Sequence, residues 1–129
     1  MENSTDNYNW KGKTILIVED EHSNFFLAET FLLRGSATIV RAKNGEEAVD
    51  YVKKNIPVDI ILMDIKMPDM NGYDATRIIK KKRPNLPIIA LTAFALDGDR
   101  EKSLLAGCDD YMAKPIDQDK LLELVDANI

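Results

Sequence analysis

The sequence predicts one α/β domain in which a parallel five-stranded sheet carries helices on both faces. Short apolar runs without polar alternation recur along the chain, and each is followed by a segment with helical capping residues or helical spacing. Continuous apolar runs are typical of strands that are buried on both faces. Strands that alternate with helices form parallel, doubly wound sheets. The pattern therefore favours a single doubly wound domain.

The composition limits the class of protein. The chain has 129 residues, of which 45% are hydrophobic and 30% are charged, as expected for one globular domain. A formal net charge of −5 argues against nucleic acid or an anionic membrane as a direct partner. A single cysteine, Cys108, excludes a disulfide framework, and no apolar stretch reaches membrane-spanning length. We therefore expect a cytoplasmic protein with a polar tail or linker at residues 1–12 and a domain at residues 13–129.

The first two strand–helix units follow directly from residue type. Thr14–Val18 (TILIV) is an apolar, β-branched run, and the helix predicted after it at 24–33 is expected to stop at Gly35. Thr38–Ala42 (TIVRA) is the second predicted strand. Asn44 has a side chain suited to cap the next helix. One face of that helix carries Ala48, Val49 and Val52.

The third unit begins with an apolar run that ends on a charge. The strand is predicted at 59–63, immediately before Asp64. A loop that contains proline and glycine follows, and the next helix is predicted at 73–82. Ile78 and Ile79 are both expected to face the core from this helix. A buried strand gains nothing from a terminal carboxylate, which makes Asp64 a candidate functional residue.

The last two units complete the sheet. A fourth strand is predicted at 87–91 (PIIAL), followed by a helix at Asp99–Ala106 that Gly107 closes. Asp110–Ala113 is a short fifth strand, and Asp117 is suited to cap the last helix. The apolar positions of that helix are Leu121, Leu124 and Val125.

Polar residues of complementary types follow four of the five strands. In such sheets, ligands bind outside the carboxyl ends of the strands. The residues at these ends are Glu19, Asp20 and Glu21 after the first strand, Asp64 after the third, Thr92 after the fourth and Lys114 after the fifth. We therefore expect one site at this edge of the sheet.

The charges at this edge predict a metal site that serves phosphoryl transfer. Two carboxylates about 4 Å apart repel by roughly 4 kcal/mol at an effective dielectric constant near 20, so Glu19, Asp20 and Asp64 need a cation or extra protons. An all-oxygen set of ligands favours Mg²⁺. Lys114 adds a fixed positive charge and Thr92 a hydroxyl donor. Together these groups suit transfer of a phosphoryl group to Asp64 as the nucleophile.

The same residues are open to other interpretations. Taken alone, Asp64 could begin a turn, and the acidic residues after the first strand could cap a helix. A nucleotide-binding domain needs a glycine-rich phosphate loop and a flavodoxin needs a hydroxyl-rich one, but this chain has EDEHSN there. An aspartyl-phosphate phosphatase wants a second Asp two residues on, where this chain has Lys66. A phosphorylation-independent interaction module is the strongest alternative.

Four motifs then resemble a known family. ILIVEDE at 15–21, ILMDIKMPDMNG at 61–72, ALTAFA at 90–95 and DDYMAKPI at 109–116 resemble the receiver domains of two-component response regulators. The likeness covers about residues 13–127 and is greatest to the receivers of hybrid sensor histidine kinases. It implies a (βα)5 flavodoxin-like fold with strand order 2-1-3-4-5 and a role in phosphorelay signalling.

The resemblance implies that Asp64 accepts a phosphoryl group from a phosphohistidine on a histidine kinase or histidine phosphotransfer protein. It implies that Asp20, Asp64 and the Lys66 backbone carbonyl ligate Mg²⁺. Many family members carry Asp where this chain has Glu19, so the longer side chain is expected to act mainly through a bound water. The domain would assist its own phosphorylation and dephosphorylation and would not be an enzyme.

Further roles implied by the resemblance concern switching. Thr92 and Lys114 would bind phosphoryl oxygens. Tyr111 would be the aromatic switch residue, which moves when phosphorylation moves Thr92. The surface of helix 4, strand 5 and helix 5 would then change, and a weak dimer through this surface is compatible with the family. The side chains of Lys66 and Phe94 would tune the lifetime of the phosphoryl group, and the Lys114-Pro115 bond would be cis.

Overall fold

A computed structural model describes residues 8–67, 70–93 and 98–129 of the chain. Its strands are β1 (Thr14–Val18), β2 (Thr38–Ala42), β3 (Ile60–Asp64), β4 (Ile88–Thr92) and β5 (Asp110–Ala113). Its α-helices are α1 (His22–Leu32), α2 (Gly45–Lys53), α3 (Gly72–Lys82), α4 (Asp99–Ala106) and α5 (Gln118–Asn128). The strands pair in parallel in the order β2-β1-β3-β4-β5, which confirms the predicted fold.

Two strands begin and end one residue later than predicted. The structure has β3 at Ile60–Asp64 and β4 at Ile88–Thr92, where 59–63 and 87–91 were expected. Asp64 lies in register with Leu91, and the next amide, that of Ile65, donates to the Leu91 carbonyl over 3.0 Å. The carboxylate and hydroxyl residues at these strand ends are therefore part of the hydrogen-bonded sheet.

The ends of α1 also differ from the prediction. The helix begins at His22, two residues earlier than expected, and its last residues tighten into a 3-10 turn at Leu33–Gly35. The left-handed residue that follows is Ser36, with φ of 67°, so Gly35 does not supply the left-handed conformation of a glycine stop. Elsewhere the predicted caps are confirmed, because Asn44 accepts from the amide of Glu47 and Asp117 accepts from the amide of Lys120.

Gly35 serves instead to make room for Trp10. The Trp10 amide donates to the Gly35 carbonyl over 2.7 Å, and any Cβ on Gly35 would overlap the indole ring. The indole Nε1–H donates to Asp126 Oδ1 of α5 over 2.9 Å, and Trp10 is buried. The packed structure thus includes the segment just before β1, whereas residues 1–7 of the predicted tail lie outside the described residues.

Helices cover both faces of the sheet, and each face has its own apolar cluster. One cluster lies under α2 and α3, and the other under α1 and α5. The expectation that Ile78 faces inward is wrong, because Ile78 is 38% exposed whereas Ile79 is 1% exposed. Adjacent helical residues are rotated by about 100°, and at this position of α3 the rotation turns Ile78 toward solvent while Ile79 faces the sheet. In the described part of the chain, no helix has the length and hydropathy needed to span a membrane.

Candidate functional site

A cleft of about 230 Å³ opens at the carboxyl edge of the sheet, where the sequence predicted a site. Its described lining residues are Glu19, Asp20, Glu21, Asn24, Asp64, Lys66, Ala93 and Lys114. The loops after β1, β3, β4 and β5 all contribute to this lining. Parallel strands end at one edge, so residues far apart in sequence converge there.

An acidic cluster forms one wall of the cleft. Glu19, Asp20 and Asp64 each offer a carboxylate oxygen, and these oxygens lie within 4.8 Å of one another. Glu19 and Asp64 are buried, with exposed fractions of 2% and 4%, whereas Asp20 is exposed. Crowded hard oxygen donors with one side open to solvent fit Mg²⁺, which keeps several waters when it binds.

Lys114 lies between the two buried carboxylates. Its Nζ is 2.8 Å from Glu19 Oε1 and 3.6 Å from Asp64 Oδ1. The second Glu19 oxygen accepts from the Glu21 amide over 3.2 Å, and Asp64 Oδ1 accepts from the Lys66 amide over 3.3 Å. Each buried carboxylate therefore contacts the same Lys114 ammonium group and one backbone amide of its own.

The electrostatics of Asp64 differ from those of an exposed carboxylate. Burial, the charge of Glu19 and a hydrogen bond to Glu19 raise the pKa of Asp64 from 3.8 to about 7, although Lys114 and the Lys66 amide lower it. For Lys114, burial alone would lower the pKa, but the hydrogen bond to Glu19 and the charge of Asp64 raise it overall. Lys114 is therefore charged at neutral pH, while Asp64 holds its proton more tightly than an ordinary aspartate does.

Thr92 and Tyr111 lie on neighbouring strands near this edge. Thr92 pairs with Ala113, and Tyr111 pairs with Ala90, which precedes Thr92 by two residues. Residues two apart in a strand share a face, so Thr92 and Tyr111 lie on the same side of the sheet. Thr92 is 4% exposed, and it does not line the cleft among the described residues. Tyr111 is half-buried against the α2–α3 side of the core.

The structure also bears on the remaining predictions. The Lys114-Pro115 bond is cis, as expected. Lys66 is exposed and lines the cleft, whereas Phe94 lies outside the described residues. His22, which precedes the predicted start of the first helix at residue 24, is the first residue of α1 and is exposed.

Two residues near the site were missed by the sequence reasoning. Gly72 begins α3, and a Cβ there would lie 2.5 Å from the Asp64 carbonyl oxygen and 2.7 Å from the Cα of Ile65. Only glycine lets the start of α3 approach the backbone of Asp64 this closely. Arg41, on β2, contacts the loop that carries Glu19 and Asp20. In the sequence, Gly72 is only a glycine at the end of the loop before α3, and Arg41 carries no signal of its own.

Comparison with known proteins identifies the same family. The model of the response regulator receiver domain matches residues 15–126. Hybrid signal transduction histidine kinase I of Dictyostelium discoideum is 41% identical over 123 residues, which cover 89% of this chain and 7% of that protein. The polar-differentiation response regulator DivK of Brucella anthropi is 36% identical over 115 residues, which cover 88% of this chain and 93% of DivK. The chain therefore matches a small part of the first relative and nearly all of the second.

Among solved structures, one similar chain belongs to a complex. It is the receiver domain of the response regulator Ssk1 of Saccharomyces cerevisiae, crystallised with the histidine phosphotransfer protein Ypd1. The two chains superpose with a TM-score of 0.80 at 31% identity, over 88% of this chain and 86% of that one.

Proposed function

Since the chain belongs to the response regulator receiver domain family of two-component systems, we propose that Asp64 is its phosphoacceptor. The phosphoryl group would come from a phosphohistidine on a histidine kinase or a histidine phosphotransfer protein. The observation that supports this most directly is the position of the Asp64 carboxylate, which is buried at the cleft between an acidic cluster and the Lys114 ammonium.

In the proposed reaction an Asp64 carboxylate oxygen attacks the phosphorus atom. The bond between phosphorus and the histidine nitrogen breaks, and that nitrogen keeps the electron pair. The positive charge of Lys114, 3.6 Å from Asp64 Oδ1, would attract the phosphoryl oxygens and so hold the acyl phosphate. The domain would assist its own phosphorylation and dephosphorylation without turning over a separate substrate.

We propose that Asp20, Asp64 and the Lys66 backbone carbonyl hold Mg²⁺. When bound, Mg²⁺ supplies positive charge that offsets the charge of the transferring phosphoryl oxygens. Both Glu19 oxygens already accept hydrogen bonds, one from Lys114 and one from the Glu21 amide. This supports an indirect role for Glu19, through a water, because direct ligation would compete with those bonds.

Helix α1 offers a docking surface for the phosphohistidine donor. Phe26 and Leu27, adjacent on α1, are 59% and 41% exposed and together present apolar surface to solvent. The Phe26 ring stacks on that of His22, the first residue of α1, with the ring centroids 6.4 Å apart. Glu21 and Asn24, from the same segment, line the cleft. We propose that this apolar surface binds the partner and aligns its phosphohistidine with Asp64. The complex of the Ssk1 receiver with Ypd1 supports the class of partner.

We expect the protein to gain one acid-stable, base-labile phosphoryl group from acetyl phosphate when Mg²⁺ is present. Removal of Mg²⁺ with EDTA should abolish the gain, because the crowded carboxylates then repel the incoming anion. Intact-mass spectrometry with and without EDTA measures both outcomes. No gain with Mg²⁺ would favour a phosphorylation-independent interaction module, and release of phosphate with no detectable adduct would favour a phosphatase.

We further propose that Thr92 and Tyr111 change position when Asp64 is phosphorylated. A charge-assisted hydrogen bond from the Thr92 hydroxyl to a phosphoryl oxygen is worth roughly 1.5–3 kcal/mol. An energy of this size can raise a state populated at about 5% to a majority. Movement of Thr92 would open space for Tyr111 and change the surface of α4, β5 and α5. Leu105, 85% exposed on α4, makes this surface suitable for a partner or a weak dimer.

Thr92→Ala should still accept a phosphoryl group but should lose the response of Tyr111. The alanine has no hydroxyl to bind the phosphoryl oxygen, so nothing draws β4 toward Asp64. NMR of the Tyr111 amide and ring, with and without beryllofluoride and Mg²⁺, measures the response. Thr38→Ala, at the exposed start of β2, is the matched control and should respond as wild type does. A wild-type shift of Tyr111 in Thr92→Ala would contradict this mechanism.

The lifetime of the phosphoryl group is a separate property. We propose that the side chains of Lys66, at the cleft, and Phe94 tune it. An apolar Phe94 cannot orient an attacking water, which favours slow loss of the phosphoryl group.

A further inference from the structure

Arg41 makes a set of contacts that the proposed function does not use. It lies one residue before the end of β2, and its side chain reaches across to the loop after β1. Nε and Nη2 donate to the Glu19 carbonyl over 3.2 and 3.1 Å, and Nη2 also donates to the Asp20 carbonyl over 3.3 Å. One guanidinium group therefore holds the backbone of two successive acidic residues.

The guanidinium is itself held in place. It lies over the Phe25 ring of α1, 4.8 Å from the ring centroid, and its Nη1 is 3.4 Å from His22 Nδ1. The Glu19 amide also donates to the carbonyl of Ala42, the residue after Arg41 on β2, over 3.0 Å. The planar fork of arginine suits such multiple contacts, because its donors are rigidly arranged.

We propose that Arg41 is a positioning residue for the divalent cation. By fixing the carbonyl groups of Glu19 and Asp20, it orients the loop so that their carboxylates face Asp64, within the 4.8 Å cluster. The Asp20 carboxylate is exposed, so the packing of its own side chain does not fix its position. This inference rests on the proposed cation site.

Positioning and simple electrostatics predict opposite effects of removing Arg41 on the affinity for Mg²⁺. A positive charge beside the acidic cluster repels a divalent cation, so removal of the charge alone would tighten Mg²⁺ binding. Removal of the backbone anchor would loosen the loop and weaken Mg²⁺ binding. Groups that orient metal ligands typically contribute about 10–100-fold to metal affinity. If positioning dominates, Arg41→Ala lowers the affinity despite the more favourable charge.

The test is a titration of metal-free protein with Mg²⁺. Binding is measured by calorimetry and by the NMR signals of the Asp20 and Glu21 amides. We expect Arg41→Ala to bind Mg²⁺ about tenfold more weakly than wild type. Arg41→Lys should also lose affinity, because it keeps the charge but its ammonium cannot reproduce the arginine fork. Arg77→Ala is the matched control, since Arg77 is exposed on α3 and pairs only with exposed Asp74 among the described residues. It should bind as wild type does.

Each outcome decides the proposal. Arg41→Ala with wild-type or tighter affinity would overturn it, and so would Arg41→Lys with wild-type affinity. If Arg41→Ala does not fold, judged by circular dichroism, Arg41→Lys decides alone. Wild-type protein that binds no Mg²⁺ would overturn the cation site itself, a result distinguishable from the failure of Arg41. Asp20→Ala removes a carboxylate of the cluster. Its loss of Mg²⁺ affinity shows how large the effect of losing one whole ligand is, for comparison with Arg41→Ala.

Discussion

Asp64→Asn should reduce phosphoryl uptake from one group per chain to none, both from acetyl phosphate and from a phosphohistidine protein. An amide oxygen is a poor nucleophile, and the product would carry a charge that the acyl phosphate does not. The substitution keeps the size of the side chain and removes a charge from a buried, crowded position. The folded structure should therefore be kept or stabilised while the chemistry is lost. Intact-mass spectrometry after incubation with each donor and Mg²⁺ measures uptake.

Two further variants make this result specific. Asp74→Asn changes an exposed aspartate that pairs with Arg77 on α3. This variant should gain one phosphoryl group, as wild type does. Asp20→Asn keeps the proposed nucleophile, Asp64, but removes a charge from the acidic cluster, so it should slow uptake without excluding it at high Mg²⁺. Equal uptake by wild type and Asp64→Asn would show that the acceptor is another residue.

Lys114→Met should be the most destabilising change at the site when no metal is present. It leaves Glu19 and Asp64, both buried, without the ammonium group that lies 2.8 and 3.6 Å from them. Loss of one partner of a buried ion pair costs about 3–5 kcal/mol, and the partial exposure of Lys114 reduces this to about 2–3 kcal/mol at pH 8. Denaturant unfolding in EDTA, followed by circular dichroism, measures the free energy of unfolding.

This loss should depend on pH in a defined direction. The pKa of Asp64 is raised to about 7, so between pH 4 and pH 7 the folded protein keeps a proton that the unfolded chain has released. The stability contributed by that proton is complete below pH 4 and is lost as the pH rises through 7. Lys114 lowers the pKa of Asp64, so its removal raises that pKa further. The destabilisation by Lys114→Met should therefore shrink between pH 8 and pH 5.

Lys54→Met provides the control for this experiment. Lys54 pairs with Asp50 at 3.0 Å, but both side chains are more than 60% exposed. Exposed pairs contribute about 0–1 kcal/mol, so this variant should lose little stability at either pH. A loss in Lys114→Met that is equal at pH 5 and pH 8 would mean that Asp64 does not titrate between them.

The site could be predicted from the sequence because its residues follow recognisable strands. Once β1, β3 and β5 are identified, the topology of a parallel sheet brings Glu19, Asp64 and Lys114 to one edge. This placement does not depend on the conformation of the loops. Opposite charges at that edge then suggest both the metal and the chemistry. Periodicity was less reliable at a helix edge, where Ile78 was assigned to the core although it is partly exposed.

Contacts that depend on the reach of one side chain could not be predicted. Arg41 lies on β2, whose end carries no acidic or hydroxyl group, and only the three-dimensional path of its side chain reveals its bonds to the acidic loop. Gly72 looks like an ordinary turn glycine until the closeness of Asp64 is known. The bond between Trp10 and Asp126 joins residues 116 positions apart, which no local pattern encodes.

Trp10 also gives the molecule a built-in optical probe. It is the single tryptophan of the chain, it is 2% exposed, and its indole N–H bonds the Asp126 carboxylate of α5. All tryptophan fluorescence therefore originates at one place, at the amino-terminal edge of the sheet and away from the cleft. Because indole emission is sensitive to a neighbouring carboxylate, a shift of α5 would change its intensity without direct contact with a ligand. Movement of α5 can thus be followed in real time on unlabelled protein.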